Sequence, residues 1–234
     1  MSVAKRIVLI ALTVVAVSPA GAGASSHGAI YRGTLTDGVL TIKQLDDETA
    51  SGFLAFDGYG DGVNPTVESG RYVVARDSFE GGTFRPGAGC EGSGSSMRCE
   101  PVRRVRVLFG DGNNYVETHI YDAQADVTTW MKKPMLIRGG GGNDGLDGGF
   151  GPDRIYGGPG WDHLYGDRGD DYLHSGGGPR RLAARVRGGA GDDTIVTANG
   201  GKDEVRCGRG EDTATVDQLD SVSACEHVIR KTSE

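Results

Sequence analysis

The chain has 234 residues, a formal charge of −7, 41 glycines and only 7% aromatic residues. An acidic chain so poor in rings lacks the basic field and the stacking platforms of a nucleic-acid binder. It also lacks the sustained helical periodicity of an α-helical protein. Lys5 and Arg6 precede an apolar run from Ile7 to Val17, which is too short for a bilayer span of about 20 residues. Pro19 ends the run, and Ala22-Gly23-Ala24 fits a small-residue cleavage site. Residues 1–24 read as a signal peptide cut before Ser25, so a secreted protein is expected, and no other segment is apolar enough to span a membrane. Removing Lys5 and Arg6 with the leader takes the charge from −7 to −9.

Residues 25–136 read as strands and turns. Leu35-Thr36-Asp37-Gly38-Val39-Leu40 places Asp-Gly between alternating residues, a hairpin signal. Arg71 to Ala75 and Val102 to Leu108 alternate as half-buried strands. This segment is expected to be a degenerate β-solenoid, with a small separate β domain as the alternative. Cys90, Cys99, Cys207 and Cys225 suit an oxidising compartment. Their closeness in sequence favours the pairs 90–99 and 207–225 over crossed pairings.

From residue 137 to 216 a nine-residue frame dominates. Its copies start at Gly139, Gly148, Gly157 and Gly166, with Asp144, Asp153, Asp162 and Asp171 in sixth place. Leu146, Ile155, Leu164 and Leu173 hold the eighth place. The pattern G-G-x-G-x-D-x-U-x belongs to calcium-binding parallel β-structures. Glycine permits a tight loop whose carbonyls turn inward, and calcium takes six to eight oxygens at roughly 2.3–2.6 Å. The aspartates, with loop positions Gly140, Gly142, Gly149, Gly151, Gly158, Gly160 and Gly169, are therefore candidate calcium ligands. The eighth-place residue fills a core that only stacked copies can close.

Thirteen residues from Ser175 to Arg187 interrupt the frame without an aspartate, and are expected to form a bulged loop that loses one ligand. The frame returns with Gly189, Gly191 and Asp193, then more weakly with Asp203 and Asp212. A linker of the same composition would need no fixed phase.

The repeats resemble the RTX, or haemolysin-type, calcium-binding repeats. That resemblance implies a parallel β-roll with two strands per coil. It also implies calcium between a loop and the loop two repeats later, so that Asp144 pairs with Asp162 and Asp153 with Asp171. Gly110 to Val116 is similar to a decayed copy, with the uncharged Asn114 in the aspartate place. Residues 217–234, with Cys207–Cys225, resemble the closing segment of secreted actinobacterial RTX proteins and imply a disulfide-closed cap. The fold class expected is all-β, a parallel β-roll or solenoid with a degenerate strand-rich N-terminal half.

No H-E-x-x-H or G-x-S-x-G motif occurs, and His27, His119, His163, His174 and His227 are scattered. The expected protein is not an enzyme but a calcium-binding structural or surface-interaction module that folds on binding Ca2+. An extracellular hydrolase or toxin-like protein with its site in residues 25–136 is the alternative. Arginine clusters at Arg103, Arg104 and Arg106 and at Arg180, Arg181, Arg185 and Arg187 point to an anionic cell-envelope polymer, or another surface protein, as partner.

Overall fold

A nonapeptide divides into a glycine turn and a short strand, three residues long in several copies. Gly145–Asp147, Arg154–Tyr156, Tyr172–His174 and Thr194–Val196 each have three residues, with only the middle one buried. Side chains alternate across a strand, so three residues supply one inward group. One turn per strand sends successive strands to opposite walls, and each pairs in parallel with the strand two repeats on.

The computed structural model describes residues 30–45, 53–57, 73–76, 83–94, 96–122, 127–177 and 183–232. The leader, Arg71, Arg180 and Arg181 lie outside them. Two ten-stranded sheets face each other. The first runs in the order Thr83–Pro86, Ile30–Thr36, Val39–Gln44, Arg104–Leu108, Met135–Arg138, Arg154–Tyr156, Tyr172–His174, Thr194–Val196, Thr213–Val216 and His227–Arg230. The second runs Cys90–Ser93, Ser96–Cys99, Val73–Arg76, Phe53–Asp57, Tyr115–Glu117, Gly145–Asp147, His163–Arg168, Arg185–Ala190, Glu204–Arg209 and Ser221–Ser223. A small hairpin, His119–Asp122 with Val127–Trp130, forms a two-stranded sheet of its own.

Two columns of apolar side chains fill the space between the sheets. Ile42, Val107, Ile137, Ile155, Leu173, Ile195 and Ala214 stack in register along the first. Leu54, Val116, Leu146, Leu164, Val186 and Val205 do so along the second. All are buried.

The N-terminal part joins the same sheets but is not made of parallel coils throughout. Ile30–Thr36 and Val39–Gln44 pair antiparallel, with Asp37 and Gly38 at φ 51° and 75°, as a two-residue hairpin turn requires. Phe53–Asp57, Val73–Arg76, Ser96–Cys99 and Cys90–Ser93 also pair antiparallel. Consecutive strands here reverse on one wall, as in the hairpins Ile30–Thr36 with Val39–Gln44 and Cys90–Ser93 with Ser96–Cys99, instead of crossing at every turn. Cys90 and Cys99 face each other across one of them, with Cα atoms 4.2 Å apart.

The interruption after Leu173 is also only partly a loop. Arg185–Ala190 is a strand, and Val186 takes the column place between Leu164 and Val205. A valine flanked by arginines has the period of two that a wall strand needs. The C-terminal segment adds one more coil: Ser221–Ser223 pairs with Glu204–Arg209, and His227–Arg230 with Thr213–Val216. Cys207–Cys225 ties that coil to the body, with Cα atoms 5.0 Å apart.

Candidate metal centre

A sixth-place aspartate stands where turn becomes strand, and the backbone holds it from both sides. The Asp144 carbonyl accepts the His163 N–H at 2.7 Å, and the Asp144 N–H donates to Asp162 Oδ1 at 3.0 Å. Repetition of that second bond builds two ladders, one on each edge of the roll. On the second edge Met135, Asp153, Asp171 and Asp193 each donate to the Oδ1 of the next member, ending on Asp212, at 2.7 to 3.0 Å. Asp212 in turn donates to Glu226 Oε2 at 3.0 Å. On the first edge the order is Asn114, Asp144, Asp162, then Ala184 in the aspartate place, then Asp203 and Asp220.

The other oxygen decides what the ladders are for. Oδ2 of Asp144, Asp153, Asp162, Asp171, Asp193 and Asp212 is buried and has no hydrogen-bond partner. It lies against the first glycine of its own repeat: a Cβ on Gly139, Gly148, Gly157, Gly166 or Gly188 would run into it. Burying an unpaired carboxylate is costly unless a cation compensates. Desolvation accordingly pushes Asp144 up to about 8, Asp153 to about 9, Asp171 to about 8, and Asp162 and Asp193 to about 7. The neighbouring ladder aspartates push in the same direction, and the backbone N–H bonds only partly offset them. Asp212 is raised for the same first reason.

Two asparagines show what such a pocket accepts. Asn114 Nδ2 donates to the carbonyls of Gly112 at 2.6 Å, Gly139 at 3.1 Å and Gly110 at 3.3 Å. Loop carbonyls therefore converge on one point, and there an amide donor sits among them. Asn199 Nδ2 does likewise, donating to the Gly176 carbonyl at 2.9 Å, Asp203 Oδ2 at 3.0 Å and the Ser175 hydroxyl at 3.1 Å. Asp203, raised to about 6 mainly by burial, is thus satisfied where the other six aspartates are not.

The loops stack closely enough to require glycine for two different reasons. Gly158 sits at φ 113° and a Cβ there would meet the Gly140 carbonyl oxygen. Gly160 has no positive φ, but a Cβ on it would meet the Gly142 carbonyl oxygen. Gly151 likewise needs no positive φ. Asp167 replaces the second-place glycine of the fourth repeat and adopts φ 70° itself.

The residues present suit calcium. Among the described residues no three carboxylate, histidine or thiol groups gather at one point. Two carboxylates per loop pair leave most of calcium's six to eight oxygens to come from backbone carbonyls, the donor type that converges around Asn114. The pairs expected from the sequence, Asp144 with Asp162 and Asp153 with Asp171, are joined by ladder hydrogen bonds. Sequence reasoning missed Asn199, Asp220 and Glu226, whose leading glycines are absent although Asp220 and Glu226 keep the two-residue step to Val222 and Val228. It also missed a fifth-place ladder, in which Asn143 and Trp161 N–H groups donate to Asn113 and Asn143 side chains. His163 and His174 lie on opposite sheets, against Trp161 at 5.4 Å and Tyr156 at 6.1 Å.

Parallel coils with paired carboxylates buried at their turns define a metal-binding β-roll. The model of the RTX calcium-binding nonapeptide repeat, four copies, matches residues 138–173 and 185–214. These residues are RTX repeats, and RTX repeats bind calcium. Comparison with curated proteins gives no match, and comparison with solved structures gives none either.

Proposed function

We propose that this chain is a secreted calcium-binding module whose repeats fold on binding the ion, and that its role is structural or surface-interacting rather than catalytic. The observation that carries the reading is the set of six buried Oδ2 atoms without a partner. Bound calcium supplies the positive charge and the oxygen-coordinating centre those atoms lack. The aspartates hold their Oδ2 atoms inward, the glycine loops contribute carbonyls, and the aliphatic columns close once the ladders are held together. Ligand binding then adds directly to folding stability.

In this reading the loop pairs Asp153–Asp171, Asp171–Asp193 and Asp193–Asp212 hold calcium on the second edge, and Asp144–Asp162 on the first. Gly140, Gly142, Gly149, Gly151, Gly158, Gly160, Gly169, Gly189 and Gly191 supply backbone to them. Asn114 and Asn199 close the neighbouring pockets with an amide, which leaves Asp203 a structural acceptor. Residues 25–136 act as the base of the roll, 137–216 as its calcium-binding part, and 217–234 as its last coil. The leader over residues 1–24 and the two disulfides support export to an oxidising, calcium-rich compartment.

Far-UV circular dichroism of the chain from Ser25, stripped with chelator and titrated with calcium or magnesium, tests this. A cooperative gain of β signal with calcium alone is expected. A spectrum already complete in chelator, or an equal response to magnesium, overturns it.

A further inference from the structure

Charge is distributed unevenly between the two sheets. None of the ten strands of the first sheet contains Asp or Glu, although the whole chain carries a charge of −7. The strands of the second sheet mix both signs, and Arg185 there pairs with Glu204 at 3.0 Å.

The outward side chains of the first sheet form two rows along the long axis of the roll. In one row the register sets Lys43 beside Leu108, then Arg138, then Tyr156. In the other it sets Arg106 beside Leu136, then Arg154, then Tyr172. The two rows repeat the order cation, leucine, cation, tyrosine, displaced by one strand. Arg32 and Arg85 extend the first row beyond Lys43. All six cations are exposed, and none forms an ion pair among the described residues. Tyr156 and Tyr172 rings lie 5.7 Å apart, and the Arg138 guanidinium sits 5.1 Å from the Tyr156 ring.

We infer that this face is a docking surface for a linear acidic polysaccharide. It rests on the structural reading above but not on the calcium ligands, which lie at the turns. Strands are about 4.8 Å apart, so Lys43 and Arg138 in one row, and Arg106 and Arg154 in the other, are about 9.6 Å apart. That matches carboxylates carried on alternate sugars of an extended chain. Arginine binds carboxylate through paired N–H donors. The tyrosines at the row ends offer rings to the apolar faces of sugars, a contact that a polyphosphate has no group to use. The leucines keep the centre of each row free of competing charge.

The test is titration calorimetry of the calcium-loaded protein with hyaluronan, dextran and inorganic polyphosphate. Hyaluronan is expected to bind and dextran is not. Arg138→Ser with Arg154→Ser should weaken hyaluronan about tenfold or more. Tyr156→Ala should weaken hyaluronan and leave any polyphosphate binding unchanged. Arg206→Ala, on the second sheet, should leave hyaluronan binding unchanged. Absence of hyaluronan binding overturns the proposal, as does binding that survives the double substitution or polyphosphate bound equally tightly. Circular dichroism of every sample reads the calcium-dependent fold separately. A folded protein that fails to bind therefore counts against this face alone. Arg32→Ser, between Lys43 and Arg85 in the first row, supplies the same comparison if the double variant unfolds.

Discussion

Asp171, like Asp193, has an aspartate on both sides of it in its ladder. Its N–H donates to Asp193 and its Oδ1 accepts from Asp153, so it belongs to two loop pairs at once. Calcium affinity follows the charge count of the ligands. Asp171→Asn should raise the calcium midpoint of folding by roughly tenfold, whereas Asp203→Asn should shift it little, because Asn199 already satisfies Asp203. Calcium titration by circular dichroism separates the two. The same carboxylates set the pH dependence of the calcium-free protein. Their folded-state values, about 7 to 9, lie above the ordinary 3.8. The calcium-free roll then binds more protons than the unfolded chain, and its stability falls as pH rises between about 4 and 9. In chelator, β signal should be greater at pH 5 than at pH 8.5. A signal that grows with pH would contradict the burial of these groups.

At the scale of the element, a strand of the first four repeats has one buried aliphatic anchor, even the six-residue His163–Arg168. Leu164 is fully buried between Leu146 and Val186. Leu164→Ala removes most of what its coil contributes to the column, and should cost about 2–5 kcal/mol in urea unfolding at saturating calcium. The last coil is held differently. Val228 and Ile229 are 43% and 53% exposed, so packing secures it weakly. The Cys207–Cys225 bridge closes 18 residues of chain, for which loop entropy gives about 3 kcal/mol. Replacing both with serine should fray that coil first, seen as faster hydrogen exchange at Ser221–Ser223 than at Thr194–Val196.

For the whole molecule, chain order was written in different ways in its two parts. In the repeats each local choice agrees with the coil. Glycine opens the turn, aspartate enters the ladder, and an aliphatic residue follows two places on. Asp144, Asp153, Asp162, Asp171, Asp193 and Asp212 were legible for that reason. The N-terminal part carries no such frame, and its antiparallel pairing depends on which strands meet in the folded sheets. Val186 was legible as apolar but not as a column residue, because the thirteen residues around it hide the nine-residue phase.

The sequence by itself determined the repeat, its phase, the kind of ion that suits it and the residues facing inward, since these depend only on spacing along the chain. Tertiary structure alone decided which pockets stay open. Asn114, Ala184 and Asn199 each bond across coils, to groups 19 to 30 residues away in the chain. Likewise, only stacking in register brings Lys43, Arg138 and Tyr156 into one row. Distances between strands are set by the backbone ladder, not by position in the chain.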